Sequence, residues 1–128
     1  MRQVLLLDDN PAQLTIREMV LRKAEIDCHV ATNANGALAL LRSDPGCEKI
    51  GAVITDHLMP GMDGVEFVKQ LRLFNTEIPV IVISGLPDAD QEYQGLDVIF
   101  RLKPCEPDDL IALVRTTLMA PAIGHLPD

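Results

Sequence analysis

The chain has almost no aromatic residues: three Phe, one Tyr and no Trp in 128 positions. A core without large rings has to be filled by Leu, Ile, Val and Ala, and with hydrophobic residues at 48% the chain has enough of them. Long apolar runs are missing too. None approaches the roughly 20 residues of a membrane span. Met1-Arg2-Gln3 leads straight into a strand-like run, so no signal peptide is expected either. Cysteine is scarce. Cys28, Cys47 and Cys105 form no C-x-x-C, which excludes a zinc or disulfide framework and points to free thiols in the cytoplasm. Basic residues are outnumbered, 11 Lys and Arg against 19 Asp and Glu, for a formal net charge of -8. Such a surface lacks the basic footprint that nucleic-acid phosphates require. There are no repeats, low-complexity tracts or internal linkers, and the length suits one domain.

What the chain does have is short apolar runs alternating with helical spacing. Val4-Leu5-Leu6-Leu7 reads as a strand covered on both faces and stops at Asp8-Asp9. Asn10-Pro11 opens a helix, Asn as cap and Pro at the first position. Ile16, Met19, Val20 and Lys23 carry that helix to about Ala24. Cys28–Ala31 is a second strand, Thr32 to Gly36 a turn-rich bridge, and Ala37, Leu38, Leu40 and Leu41 a second helix ended by Asp44-Pro45-Gly46. Val53-Ile54-Thr55 is a third strand ending at Asp56. Pro60, Gly61 and Gly64 punctuate a loop, and Val65, Phe67, Val68 and Leu71 follow as a helix. Pro79–Ile83 is the most hydrophobic strand and ends at Ser84-Gly85. Val98-Ile99-Phe100 is a fifth, ending at Lys103-Pro104. Glu106-Pro107 opens the last helix, through Leu110, Ile111, Val114 and Leu118. This alternation predicts an α/β fold: right-handed βαβ units and a parallel sheet between helices, a three-layer α/β/α sandwich. Residues 1–119 make the domain, and 120–128 are expected to be a loosely held, flexible tail.

In a parallel sheet all carboxyl ends share one rim, where open α/β sheets bind ligands. This chain puts Asp8-Asp9, Asp56, Ser84 and Lys103 there. Singly, each has a plain reading as a cap, a turn residue or a solvated strand end. Together they have a chemistry. Carboxylates about 4 Å apart repel by roughly 4 kcal/mol at an effective dielectric near 20, so three of them need a counter-charge. Oxygen donors in an incomplete shell suit Mg²⁺, which keeps waters and shares a phosphate oxygen. A divalent cation, the Lys103 ammonium and the Ser84 hydroxyl can surround the oxygens of a transferring phosphoryl group. Asp56 is then the nucleophile that accepts it.

Four segments carry a resemblance: Leu5–Asn10 (Leu-Leu-Leu-Asp-Asp-Asn), Asp56–Gly64 (Asp-His-Leu-Met-Pro-Gly-Met-Asp-Gly), Pro79–Gly85 (Pro-Val-Ile-Val-Ile-Ser-Gly) and Phe100–Pro104 (Phe-Arg-Leu-Lys-Pro). From about Arg2 to Leu118 the chain resembles the CheY-like receiver domain of two-component response regulators. The resemblance implies the flavodoxin-like fold, with a five-stranded parallel sheet of order 2-1-3-4-5. It implies phosphorylation of Asp56, with Asp9 as direct Mg²⁺ ligand, Asp8 acting largely through water and the Leu58 carbonyl as a further ligand beside Asp56. Ser84 and Lys103 would act with Asp56 in phosphotransfer. Ser84 and Phe100 would form the switch, and Phe at that position offers no phenolic hydroxyl. The implied upstream partner is a histidine kinase or a histidine phosphotransfer domain, with an unknown output partner. The resemblance also implies a monomer or a phosphorylation-dependent dimer, and a signalling phosphoacceptor that assists only its own phosphotransfer and dephosphorylation. No contact with nucleic acid or membrane by this domain is expected.

The same residues admit two alternatives. A haloacid-dehalogenase-like hydrolase needs a D-x-D after the first strand and usually a cap domain, and Asp8-Asp9-Asn10 lacks that spacing. A degraded receiver is disfavoured by the complete set of acids, Ser and Lys. Three finer expectations follow. Lys103-Pro104 should be cis, which a Pro makes accessible at about 0.5–1 kcal/mol. Leu58 and Leu86, each two residues past a site residue, should hinder hydrolytic water. The stretch Leu86 to Gly95, apolar only at Leu86, Ala89 and Tyr93, should form at most about two helical turns or a mobile loop.

Overall fold

The computed structural model describes residues 2–44 and 48–119. The expectations for Pro45, Gly46, Cys47 and the tail from Ala120 lie outside the described residues. Five strands, β1 (Gln3–Leu7), β2 (Cys28–Ala31), β3 (Ile50–Asp56), β4 (Val80–Ser84) and β5 (Ile99–Leu102), alternate with four helices. The helices are α1 (Pro11–Lys23), α2 (Ala34–Arg42), α3 (Gly64–Phe74) and α4 (Pro107–Met119). A 3₁₀ segment, Pro87–Tyr93, takes the place of a helix between β4 and β5. All strand pairs are parallel, and the sheet order is 2-1-3-4-5, as the resemblance implied.

Alternation along the strands builds two cores. Val4, Leu6, Ile54, Ile81 and Ile83 project to one face, where they meet Leu14 and Leu21 of α1 and Leu110 and Val114 of α4. Leu5, Leu7, Val53, Val80 and Val82 project to the other, against Leu38 and Leu41 of α2, Phe67 and Leu71 of α3, and Tyr93. Every residue of β3 is buried, as befits a central strand covered on both faces. The two edge strands, β2 and β5, have four residues each. Among the described residues no helix is long and apolar enough to cross a membrane.

Two sequence readings need correction. In α1, Ile16 and Met19 do not face the sheet: they are 61% and 60% exposed, and Leu14 and Leu21 are the buried pair. The helix is rotated so that Leu14, Arg17 and Leu21, at spacings of three and four, look inward. In α2, the supposed bridge from Thr32 to Gly36 already contains the first helical turn. Asn33 is its cap, accepting the Gly36 N–H at 2.7 Å, so the helix starts at Ala34.

Polar side chains fix the connections. Asp44 accepts backbone N–H bonds from Glu48 at 3.2 Å, Lys49 at 3.0 Å and Ile50 at 2.8 Å, which sets the entry into β3. Arg72, on α3, donates to the carbonyls of Leu96 (2.9 Å), Asn75 (3.2 Å), Ile78 (2.8 Å) and Asp97 (2.8 Å). One guanidinium thus joins the end of α3 to the approaches of both β4 and β5. The Lys103–Pro104 peptide is cis, as expected.

Candidate functional site

The rim at the carboxyl ends of the strands follows from register. Leu7 pairs with Thr55, and Asp56 with Ile83, so Asp8 and Asp56 end neighbouring strands at the same level. By alternation Asp8 continues the Val4–Leu6 face and Asp56 the Ala52–Ile54 face. Both therefore point to the side covered by α1 and α4. Asp8 is fully buried and Asp56 nearly so, at 6% exposed. Burial pushes the Asp8 carboxyl up to about 6; the nearby negative Asp56 adds to this, and the Asn10 N–H at 2.9 Å and Arg17 oppose it.

Lys103 follows β5, and its Nζ lies 3.4 Å from Asp56 Oδ2. A second cation, which the sequence reading did not select, sits between the acids. Arg17 Nη1 is 3.2 Å from Asp8 Oδ2, Nη2 is 3.1 Å from Asp56 Oδ1, and the side chain is only 12% exposed. One turn earlier on α1, Gln13 presents its amide nitrogen to both acids: hydrogen-bond complementarity orients it to donate to Asp56 Oδ2 at 3.0 Å and Asp8 Oδ2 at 2.6 Å. The signal that would have found Arg17 is its place between Leu14 and Leu21 on the inward face; it was hidden by reading Ile16 and Met19 as that face.

The other candidates differ in burial. Asp9 is exposed. Ser84 is 2% exposed, and its hydroxyl serves its own turn, accepting the Leu86 N–H at 2.9 Å and facing the Leu86 carbonyl at 3.4 Å. Phe100 is half-buried, its ring centroid 6.1 Å from that of Tyr93. Leu58 is 63% exposed and Leu86 47%.

His57 is a further residue that the sequence reading passed over. It is buried, with Nδ1 2.7 Å from the Tyr93 hydroxyl and Nε2 3.4 Å from Glu92 Oε2. Tyr93 is buried as well, and burial pushes its phenol well above the usual range. The Leu86–Gly95 stretch is as short as expected, but Tyr93 and Ala89 fix it onto the fold instead of leaving it a loop. The described cysteines are free: burial pushes the Cys28 thiol up to about 11 and the Cys105 thiol upward as well.

The carboxylates of Asp8 and Asp56 are oxygen donors of the hard, anionic kind that Mg²⁺ prefers. Among the described residues no three His, Cys, Asp or Glu side chains gather into a ready-made cage. A cation here would complete its shell with water and substrate oxygens, which is the usual habit of Mg²⁺.

Residues 4–115 match the family model described as "Response regulator receiver domain". Over 123 residues the chain is 34% identical to the hydrogenase transcriptional regulatory protein HoxA of Cupriavidus necator, a match that covers 91% of this chain and 24% of that protein. Over 125 residues it is 28% identical to the phosphate regulon transcriptional regulatory protein PhoB of Pseudomonas aeruginosa, covering 91% and 52%. The chain thus spans about a quarter to a half of the length of these relatives. Among solved structures, a response regulator receiver protein from Pseudomonas putida superimposes with a TM-score of 0.80 at 28% identity, covering 91% of this chain and 98% of that one. A receiver domain protein from Clostridium thermocellum shares the fold with a TM-score of 0.83 at 21% identity, covering 92% and 94%.

Proposed function

The chain belongs to the response regulator receiver domain family of two-component systems, and on that premise we propose that it is a phosphoacceptor whose Asp56 takes a phosphoryl group from a phosphohistidine. The donor is a histidine kinase or a histidine phosphotransfer domain in the cytoplasm, and the phosphorylated domain signals to an output partner. The observation that carries this reading is Asp56 itself: a carboxylate at the carboxyl end of the central strand, 6% exposed, with Asp8 beside it and Lys103 Nζ at 3.4 Å.

In this reading an Asp56 carboxylate oxygen attacks phosphorus. A P–O bond forms, the P–N bond breaks, and its electron pair leaves with the imidazole. Asp8, Asp9, Asp56 and the Leu58 carbonyl are the residues that would hold Mg²⁺. Bound Mg²⁺ supplies a hard positive charge for the non-bridging phosphoryl oxygens. Lys103 supplies the second charge, from the β5 side. Ser84 exchanges its bond to Leu86 for one to a phosphoryl oxygen, and Phe100 packs inward behind it, which carries the switch to the β5–α4 side. The domain has no separate substrate to turn over; it assists its own phosphorylation and dephosphorylation, as a monomer or a phosphorylation-dependent dimer.

Incubation with acetyl phosphate, read by intact mass, tests the assignment. One phosphoryl group per chain is expected, dependent on Mg²⁺ and lost in Asp56→Asn with the fold retained. Labelling of Asp56→Asn at the wild-type rate would overturn it.

A further inference from the structure

Arg17 bridges two of the carboxylates proposed to hold a divalent cation. Its two terminal nitrogens reach different carboxylates, Asp8 at 3.2 Å and Asp56 at 3.1 Å, as a planar fork can and a single ammonium cannot. With Lys103 beside Asp56, the two buried negative charges are already matched by two positive ones. Bringing in Mg²⁺ would place a double charge against this balanced set, next to a guanidinium held by two ion pairs.

We propose that Arg17 is a built-in counter-cation that competes with Mg²⁺ for Asp8 and Asp56, so that metal binding requires the guanidinium to leave the acid pair. Competition for shared ligands is reciprocal: whatever Arg17 gains from the carboxylates is subtracted from the metal. The displaced side chain has somewhere to go. A groove of about 450 Å³ lies between α1 and α4, lined in part by Gln13, Arg17, Val20, Lys103, Cys105 and Leu110. It is open to solvent on the Ile16 side of α1, where a long cationic side chain keeps its stem on apolar surface and its charge in water. The resting domain is thereby held together without metal, and charging the site becomes a replacement of one cation by another. This inference rests on the proposal that the acid pair takes Mg²⁺.

Two measurements on the intact chain test it. The first is Mg²⁺ affinity by isothermal titration calorimetry. Arg17→Met should bind Mg²⁺ about tenfold tighter than wild type, a coupling of ordinary size, with Arg17→Lys in between. The second is side-chain nitrogen NMR of the unaltered protein, with Arg17 assigned by its loss in Arg17→Lys. The Arg17 guanidinium signals should move to the position of a free, rapidly rotating side chain as Mg²⁺ saturates. This measurement stands even if Arg17→Met does not fold without metal. Equal or weaker Mg²⁺ binding by Arg17→Met, or unmoved Arg17 signals at saturation, overturns the competition while Mg²⁺-dependent labelling of Asp56 still stands. Absence of Mg²⁺ binding in every form together with metal-independent labelling overturns the metal reading itself, and the competition with it.

Discussion

The Nδ1 of His57 and the hydroxyl of Tyr93 lie 2.7 Å apart, so the residue after the proposed phosphoacceptor is bonded directly to the last residue of the 3₁₀ segment. Both side chains are buried, and the Tyr93 ring stands between His57 and Phe100. Tyr93→Phe keeps the ring and removes the bond, leaving a buried imidazole nitrogen without its partner. The expected loss is about 1–2 kcal/mol in urea denaturation, with faster amide exchange across Pro87–Tyr93. If exchange there is unchanged, the bond does not hold the segment.

Gly64 is required by close approach. A Cβ at this position would meet Tyr93 Oη and lie 2.8 Å from the Asp56 carbonyl oxygen and 3.1 Å from His57 Cα. Gly64→Ala should cost about 1–3 kcal/mol. Because one of the three obstacles is the Tyr93 hydroxyl, Gly64→Ala with Tyr93→Phe should cost less than the sum of the two. Simple additivity in a double-mutant cycle would show that the clash is relieved elsewhere.

Arg72→Met removes the guanidinium as a donor to four carbonyls. Hydrogen bonds from a charged donor are worth about 1.5–3 kcal/mol where they are not replaced by water. Solvent will recover some of these, so a loss of about 2–3 kcal/mol is expected, with Arg72→Lys recovering less than half of it because an ammonium lacks the fork. Thermal melting of the three forms decides.

Asp44 gives a pH dependence with a definite sign. Burial raises its pKa, but the N–H donors of Ile50, Lys49 and Glu48, together with the Lys49 charge, outweigh that and hold it below the ordinary value of 3.8. A depressed folded pKa gives stability that is fully present above pH 3.8 and lost as the pH falls through the folded value. Asp44→Asn, a mimic of the protonated acid, should therefore cost about 1 kcal/mol at pH 7. The gap between variant and wild type should shrink steadily below pH 3.8. A gap of constant size down to pH 2.5 would show that charge is not the source.

Leu58 and Leu86 are exposed beside the rim, at 63% and 47%. In the proposed phosphoacceptor their apolar side chains hold no attacking water. Leu86→Gln and Leu58→Gln should each shorten the lifetime of the phosphoryl group several-fold, read as the decay of labelled protein after removal of the donor. Unchanged decay in both would remove these positions from the control of hydrolysis.

Most of the scaffold was legible because local and tertiary signals agree in it. Asn10-Pro11 starts α1, Asp63 caps α3 by accepting the Glu66 N–H at 2.9 Å, and the β-branched run of β4 is buried throughout. The acids were legible because strand ends mark the rim. Legibility failed where a residue's role depends on helix phase or on partners far away in the chain. Ile16 and Met19 look like core and lie outside, while Arg17, which looks like surface, is turned inward and paired with Asp8 and Asp56. His57 gave no signal, since its partner Tyr93 is 36 residues away. Asn33 was misread for a simpler reason: Gly36, three residues on, suggested a turn, yet it supplies the N–H that the cap accepts.

The two edge strands, four residues each, also bear on how the molecule behaves in crowded solution. An open sheet presents unpaired backbone groups at both margins, and long flat margins template fibrils and nonspecific self-association. Here the outermost ladders are too short to recruit a neighbour in register. At the β5 margin Arg101 lies exposed, and Pro104 interrupts donor groups just beyond the strand. Combined with a formal charge of -8, such margins favour colloidal stability: concentrated samples should stay free of thioflavin-positive material for as long as the sheet stays folded.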